Sequence, residues 1–183
     1  MPSAEDLAFA RHGGEKMIYD VRQGPMALES DETIAIAYQA NPDGSPAHPH
    51  LIELHRETGA WSAPVRIGEA PHFDHHFGPV IWRDADGRLH ALYNCHGKSG
   101  VHKVASHPGS IADWTDAPPI CQSISYPSVW PMAGGKLLLY CRQLGHMGYW
   151  GYLLSSDGGF SWTPFRTLVD MDRDPQTGED CWA

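Results

Sequence analysis

Residues 78–93 read GPVIWRDADGRLHALY, and two other stretches follow the same pattern: GPMALESDETIAIAY at 24–38 and YPSVWPMAGGKLLLY at 126–140. Each begins with a small or aromatic residue and a proline (Pro25, Pro79, Pro127) and closes an apolar run on a tyrosine (Tyr38, Tyr93, Tyr140). The proline-to-tyrosine spacings are 13, 14 and 13. Each is followed by a tryptophan, then Ser or Thr, then proline: WSAP at Trp61, WTDAPP at Trp114, WTP at Trp162. The tyrosine-to-tryptophan spacings are 23, 21 and 22. The unit therefore recurs about every 50 residues, a period that belongs to solenoids, propellers and arrays.

Within each unit the pattern is that of strands. TIAIAY and RLHALY alternate, KLLLY and GYWGYLL are short apolar runs, and NPDG, DADG, AGG and SDGG are turn signals between them. No window of a dozen residues carries an amphipathic helical pattern. Two hairpins per unit make a four-stranded antiparallel sheet, so the fold class is all-β: a partial β-propeller with about three blades. The blades are expected at approximately 24–70, 78–120 and 126–168, with a further blade starting in 169–183, all within one domain spanning 1–183. A propeller closes with about four to eight blades, and three leave sheet edges open. The chain thus reads as a fragment of a longer protein or a half-ring completed by another chain. A self-sufficient β-sandwich is the alternative.

The chain has 183 residues, 42% of them hydrophobic, which suffices for one domain with a core. Its formal charge of −9 argues against nucleic acid and anionic membranes as partners but leaves room for a local basic patch. The N-terminus lacks the basic and apolar segments of a signal peptide, and no run approaches membrane-helix length. Four separated cysteines (Cys95, Cys121, Cys141, Cys181) form no CxxC pair and do not fix the redox compartment.

Residues 155–162, SSDGGFSW, fit the pattern Ser-x-Asp-x-Gly-x-x-Trp. This is the Asp-box, a hairpin turn in which Ser and Asp bond turn amides, Gly takes a positive φ and Trp packs beneath. Its role is structural. In order along the chain, FDHHFGPVIWRDADGRLHALYNCHG, SYPSVWPMAGGKLLLYCRQ and the Asp-box resemble the BNR-repeat proteins that include the ulvan lyases, polysaccharide lyases on a seven-bladed propeller. The resemblance runs from about Gly24 and corresponds to the N-terminal half of such an enzyme. Asp74, His76 and Pro79 match an Asp-Asp-His-x-x-Pro motif, although His75 stands where the second aspartate would be. His96 and Gly97 match a His-Gly pair, and Tyr126 and Pro127 a Tyr-Pro. Arg142 matches the arginine of a strand end, with Cys141 inserted before it.

The resemblance implies β-elimination on an acidic, uronate-containing polysaccharide, with His76, His96, Tyr126 and Arg142 as catalytic residues. The chemistry suits those residue types. The C5 proton of a uronate is acidic because it lies α to a carboxylate, and neutralising that carboxylate stabilises the enolate-like transition state. Arginine holds a carboxylate with two bonds, a histidine near neutrality serves as base, and tyrosine can protonate the departing oxygen. Each also has a plainer reading. His76 could bond a turn and His96 cap a loop, Arg142 could pair at the surface, and Tyr126, held extended by the following proline, could fill the core.

No cofactor is required for this chemistry, and the resemblance implies a structural calcium or zinc. His72, His75, Cys95, His102, His107 and His146 offer nitrogen and sulfur donors without a tight ligand spacing. HPH at 48–50 is placed in a loop after NPDGSPA, with no chemistry attached. A polysaccharide lyase would be secreted or periplasmic; without a leader the expectation is cytoplasmic. Two other functions stay open: a non-catalytic glycan-binding propeller, and a sialidase-like hydrolase, which needs arginines and a Tyr-Glu pair from later blades.

Overall fold

The computed structural model describes residues 24–41, 46–145 and 148–169. The first sheet contains β1 (Ala27–Glu29), β2 (Thr33–Ala40), β3 (His48–His55) and β4 (Val65–Arg66) in that order. The second contains β5 (Val80–Arg83), β6 (Leu89–Tyr93), β8 (Val101–Ala105) and β9 (Trp114–Asp116). The third contains β10 (Ile124–Pro131), β11 (Leu137–Arg142), β12 (Trp150–Ser155) and β13 (Arg166–Val169). It carries an extra strand, β7 (His96–Lys98), on the edge of β10. All neighbours within the sheets are antiparallel, and each sheet is a four-stranded propeller blade. Val169, expected to open a further blade, instead pairs with Trp150 at the end of β13; residues 170–183 lie outside the described residues.

The period of two along the strands sorts the core. Ile81, Leu89, Ala91 and Tyr93 of the second sheet pack with Ala35, Ala37 and Leu51 of the first. Val80, Trp82 and Leu92, on the opposite parity, pack with Val129, Leu137, Leu139 and Leu153 of the third. Because the second sheet is covered on both faces, β6 is buried along its whole length. Small alanines on the first sheet leave room for the larger side chains of the second. No helix among the described residues is long and apolar enough to cross a membrane.

The Asp-box docks the third sheet on the second. Ser155 Oγ donates to Asp157 Oδ1 (2.8 Å) and accepts from the Gly159 amide (2.9 Å), while Asp157 accepts from the Ser161 amide (3.0 Å). Trp162 Nε1 donates to the Gly159 carbonyl at 2.8 Å, closing the turn from below. Trp82 reaches across from β5 and donates to the Gly158 carbonyl at 2.9 Å. At Gly159, φ is +104° and an added Cβ would meet Trp82 Nε1 at 2.7 Å, so only glycine lets the indole approach.

HPH at 48–50 lies in β3, not in a loop. His48 Nδ1 accepts from the Ala70 amide (3.0 Å), and the His50 ring stacks on Tyr38. Pro49 sits at the beginning of the strand, where its missing donor is tolerated, and its carbonyl accepts from the Ile67 amide.

His90 and His102 are also core residues, 0% and 4% exposed. Their Nδ1 and Nε2 atoms lie 2.9 Å apart, His90 Nε2 faces Asp84 at 3.3 Å, and His102 Nδ1 donates to the Pro118 carbonyl at 3.0 Å. Burial pushes both rings below their ordinary 6.5, His102 to about 4, the bonds to Asp84 and Pro118 opposing it. A depressed histidine makes the unfolded chain bind more protons between the two values, so the neutral pair stabilises the fold fully above pH 6.5 and the contribution is lost as pH falls toward 4. Asp84, also depressed, loses its contribution only at lower pH. The urea midpoint should therefore drop between pH 7 and 5, and His102→Gln should flatten that dependence.

Candidate active site

Between β4 and β5 the chain makes one 3-10 turn, His75–Phe77, capped by Asp74 in extended backbone. Asp74 Oδ1 accepts from the His76 amide at 2.9 Å, the capping bond that aspartate makes most readily. The same carboxylate bridges two imidazoles: His76 Nδ1 lies 2.6 Å from Oδ1, and His96 Nδ1 lies 2.8 Å from Oδ2. Burial alone would raise the Asp74 carboxyl, but the His76 amide and the two rings hold it down at about 2. An ionised carboxylate only accepts, so the Nδ1 atoms of both rings carry a proton. Burial lowers His76 below 6.5, partly offset by its bond to Asp74.

His96 arrives from the other end of the second sheet. After β6 the chain turns through Asn94 (φ +59°) and Gly97 (φ +72°), with the Gly97 amide bonded to Ser125 Oγ at 2.9 Å. β7 then pairs with β10, His96 opposite Ser125 and Lys98 opposite Ile124. One strand thereby carries a residue of the second unit onto the inner edge of the third.

Tyr126 is not extended. Its φ is +54°, in the left-handed region, although Pro127 follows it. The cause is a β-bulge: Ser125 pairs with Arg142 and Ser128 with Tyr140, so Tyr126 and Pro127 together oppose Cys141 alone. The bulge turns the tyrosine ring toward His76, edge to face with centroids 5.4 Å apart. His76 also lies against His96 (4.0 Å) and His75 (3.8 Å).

Arg142 ends β11 and is 2% exposed. Its Cζ sits 4.8 Å from the centre of the Tyr126 ring and 6.0 Å from that of Trp150. Trp150 in turn stacks between Tyr126 and Tyr140, at 5.9 and 5.1 Å. The structure thus gathers His76, His96, Tyr126 and Arg142 in one cluster. Asp74 and Trp150 complete it; Asp74 had entered only as a motif position, and the signal for Trp150 was the GYWGYLL run opposite Arg142 in β12.

Among the described residues, the donors weighed for a metal form no group of three. Cys95 and His102 are core residues, His107 is exposed, and His146 lies outside the described residues. The group that does converge is Asp74, His76 and His96, with ligand atoms within 4.8 Å of one another. A two-imidazole, one-carboxylate set suits zinc; one carboxylate is far from the six to eight oxygens calcium takes. Zinc there would have to displace at least one of the Asp74 bonds.

A profile of a BNR repeat-containing family member matches residues 32–166. An ulvan lyase from Alteromonas sp. (strain LOR) is 25% identical over 184 residues, covering 87% of this chain and 37% of the relative. The chain thus spans well under half the length of that lyase. Among solved structures, a PL25 ulvan lyase superposes with a TM-score of 0.82 at 22% identity over 92% of this chain and 42% of its own; so does the same lyase bound to -[GlcA(1-4)Rha3S]-. Polysaccharide lyase Uly1 superposes with a TM-score of 0.59 at 11% identity, covering 90% of this chain and 45% of its own.

Asp74→Asn removes the charge that raises His76 while keeping a similar shape. The His76 ring should then titrate at still lower pH in histidine-resolved NMR, and an unchanged titration would disprove the bridge.

Proposed function

The chain belongs to the BNR repeat-containing family, and from that premise we propose that it forms part of a polysaccharide lyase that cleaves an acidic, uronate-containing glycan by β-elimination. The observation that carries this reading is the convergence of Asp74, His76, His96, Tyr126 and Arg142. The ulvan lyase relative and the lyase bound to a glucuronate-containing repeat support the substrate class.

In this reading a neutral histidine, held by Asp74 in the tautomer with Nε2 basic, removes the C5 proton. His76 suits that role because burial lowers it below 6.5 and so favours the neutral ring. Electron density moves onto the C5 carboxylate, then forms the C4–C5 double bond as the C4–O4 bond breaks, and Tyr126 gives its phenolic proton to the departing oxygen. His96, with a proton on Nε2 as well as on Nδ1, donates to the substrate carboxylate. Arg142 holds its positive charge behind the Tyr126 ring, where it stabilises both the developing enolate and the transient phenolate. These proton transfers need no metal, and a zinc on Asp74, His76 and His96 would break a bond that fixes the two rings.

The proposal extends to further blades or a second chain. Trp130 lies three residues beyond Pro127, as Trp82 lies three beyond Pro79. Trp82 is covered by the next blade's Asp-box, whereas Trp130 is 61% exposed. A following blade of the same build would cover it, which native mass and oligomeric state would report.

A second reading, glycan binding without cleavage, is favoured by the near-complete burial of Arg142. Ultraviolet absorbance of the unsaturated uronate product separates the two, using the natural full-length protein with ulvan, heparinoid and alginate. Absorbance should rise with at least one glycan, and Tyr126→Phe should lower turnover about a hundredfold or more while binding changes little. Retention of a glycan with no rise would select the binding module.

A further inference from the structure

Each segment that delivers His96, Tyr126 or Arg142 is anchored just before it. Cys95 precedes His96, Ile124 stands two residues before Tyr126, and Cys141 precedes Arg142. All three anchors are buried in the apolar cluster between the second and third sheets. Apolar packing fixes these positions but leaves the polar backbone beyond them to be satisfied by other means.

Ser125 lies at the junction of the three segments and is fully buried. It pairs with His96 of β7 on one side and with Arg142 of β11 on the other, and Tyr126 follows it. Both ladders are irregular beside it. On the β11 side the irregularity is the Tyr126–Pro127 bulge. On the β7 side Ser125 is opposite His96 while Ile124 is opposite Lys98, so Gly97 is an extra residue, with φ +72°. An added Cβ at Gly97 would meet nothing nearer than Gly145 Cα at 3.8 Å, so glycine is needed there for its backbone and not for want of space.

A bulged residue takes its amide out of the ladder. Here the Gly97 N–H donates to Ser125 Oγ at 2.9 Å, a bond that serine can accept and alanine cannot. The bulge also decides where His96 faces. Continuing the pairing of Ile124 with Lys98 without it would set Gly97 opposite Ser125 and turn His96 to the other face of the strand. The histidine would then leave Asp74 Oδ2, which its Nδ1 meets at 2.8 Å.

We propose that Ser125 is a positioning residue of this site, its hydroxyl holding the Gly97 bulge and so the face on which His96 meets Asp74. Being buried, Ser125 reaches neither substrate nor the bond broken, and it acts through His96. The effect on catalysis rests on the lyase reading; the placement of His96 does not.

The test compares wild type, Ser125→Ala and Ser125→Thr in the natural full-length protein. The first readout is the proton NMR signal of the His96 ring N–H bonded to Asp74. It should be present in wild type, lost to exchange with water in Ser125→Ala, and restored in Ser125→Thr, which keeps the oxygen. The second is turnover of an acidic glycan, read by ultraviolet absorbance. In Ser125→Ala kcat should fall about tenfold or more, with a smaller change in KM, because a misplaced His96 costs most where charge develops in the transition state. An unmoved His96 signal overturns the inference, as does a lost signal with unchanged kcat, or an equal loss in Ser125→Thr, which would mark a packing role. If Ser125→Ala does not fold, hydrogen exchange of the wild-type Gly97 amide decides: protection supports the bond, and exchange at the rate of a free peptide overturns it. A wild type that forms no unsaturated product refutes the lyase reading alone and leaves the His96 signal to decide the placement.

Discussion

The Trp82 indole, wedged between the second and third sheets, holds the rest of the molecule in place. Its ring packs edge-on against Trp162 and its N–H is donated to the Gly158 carbonyl, so one side chain ties β5 of one blade to the turn of the next. The bond satisfies a buried donor and a turn carbonyl together, which is what makes the wedge specific as well as apolar. Two glycines make the approach possible: side chains at 158 and 159 would strike Asp84 and Trp82. Once that distance is set, β10 lies close enough to the second blade for β7 to join it. Tyr126 then comes within reach of a histidine 50 positions earlier in the chain.

At the site, Asp74 does for the loops what Trp82 does for the sheets. Its two oxygens take one imidazole from the turn before β5 and one from the strand after β6. Removing either ring would leave a half-buried charge with one partner fewer, so the two histidines hold each other in position through the acid. The strained backbone is concentrated in the same place. Asn94, before the strand that delivers His96, and Tyr126, in the bulge of β10, are both non-glycine residues with positive φ. Such conformations cost of order 1–3 kcal/mol each and persist only where surrounding structure enforces them; here a bulge and a cross-sheet pairing do so.

The blade architecture was legible because it is written as a repeat. The Pro-to-Tyr segments, the trailing tryptophans and the Asp-box follow from turn chemistry and a period of two, and these are local properties. The convergence of His76, His96, Tyr126 and Arg142 was readable only as far as equivalent positions in neighbouring blades share a rim. What was not readable depends on contacts between distant segments. β7 joins a sheet other than that of its neighbours in sequence. Pro127 biases Tyr126 toward extended backbone, and the one-residue bulge between β10 and β11 overrides it. HPH looked like a loop because polar, proline-bearing triplets are, yet antiparallel pairing with β2, Tyr38 opposite His50 and Ala40 opposite His48, makes it a strand.

The histidines show how surroundings divide one residue type between structure and chemistry. His90 and His102 face each other with almost no exposure, and the carboxylate beside His90, Asp84, is also bonded by Arg88 at 3.0 Å. Desolvation there exceeds any gain from charge, so the pair stays neutral and serves packing, with the Trp82 ring stacked against both. His76 and His96 share a carboxylate that no arginine among the described residues bonds, and their side chains keep 16% and 28% of their surface open. A partly exposed ring held in one tautomer by a carboxylate, with a phenol beside it, is the arrangement that the proposed proton transfer uses. The same imidazole sealed between two blades is part of the core.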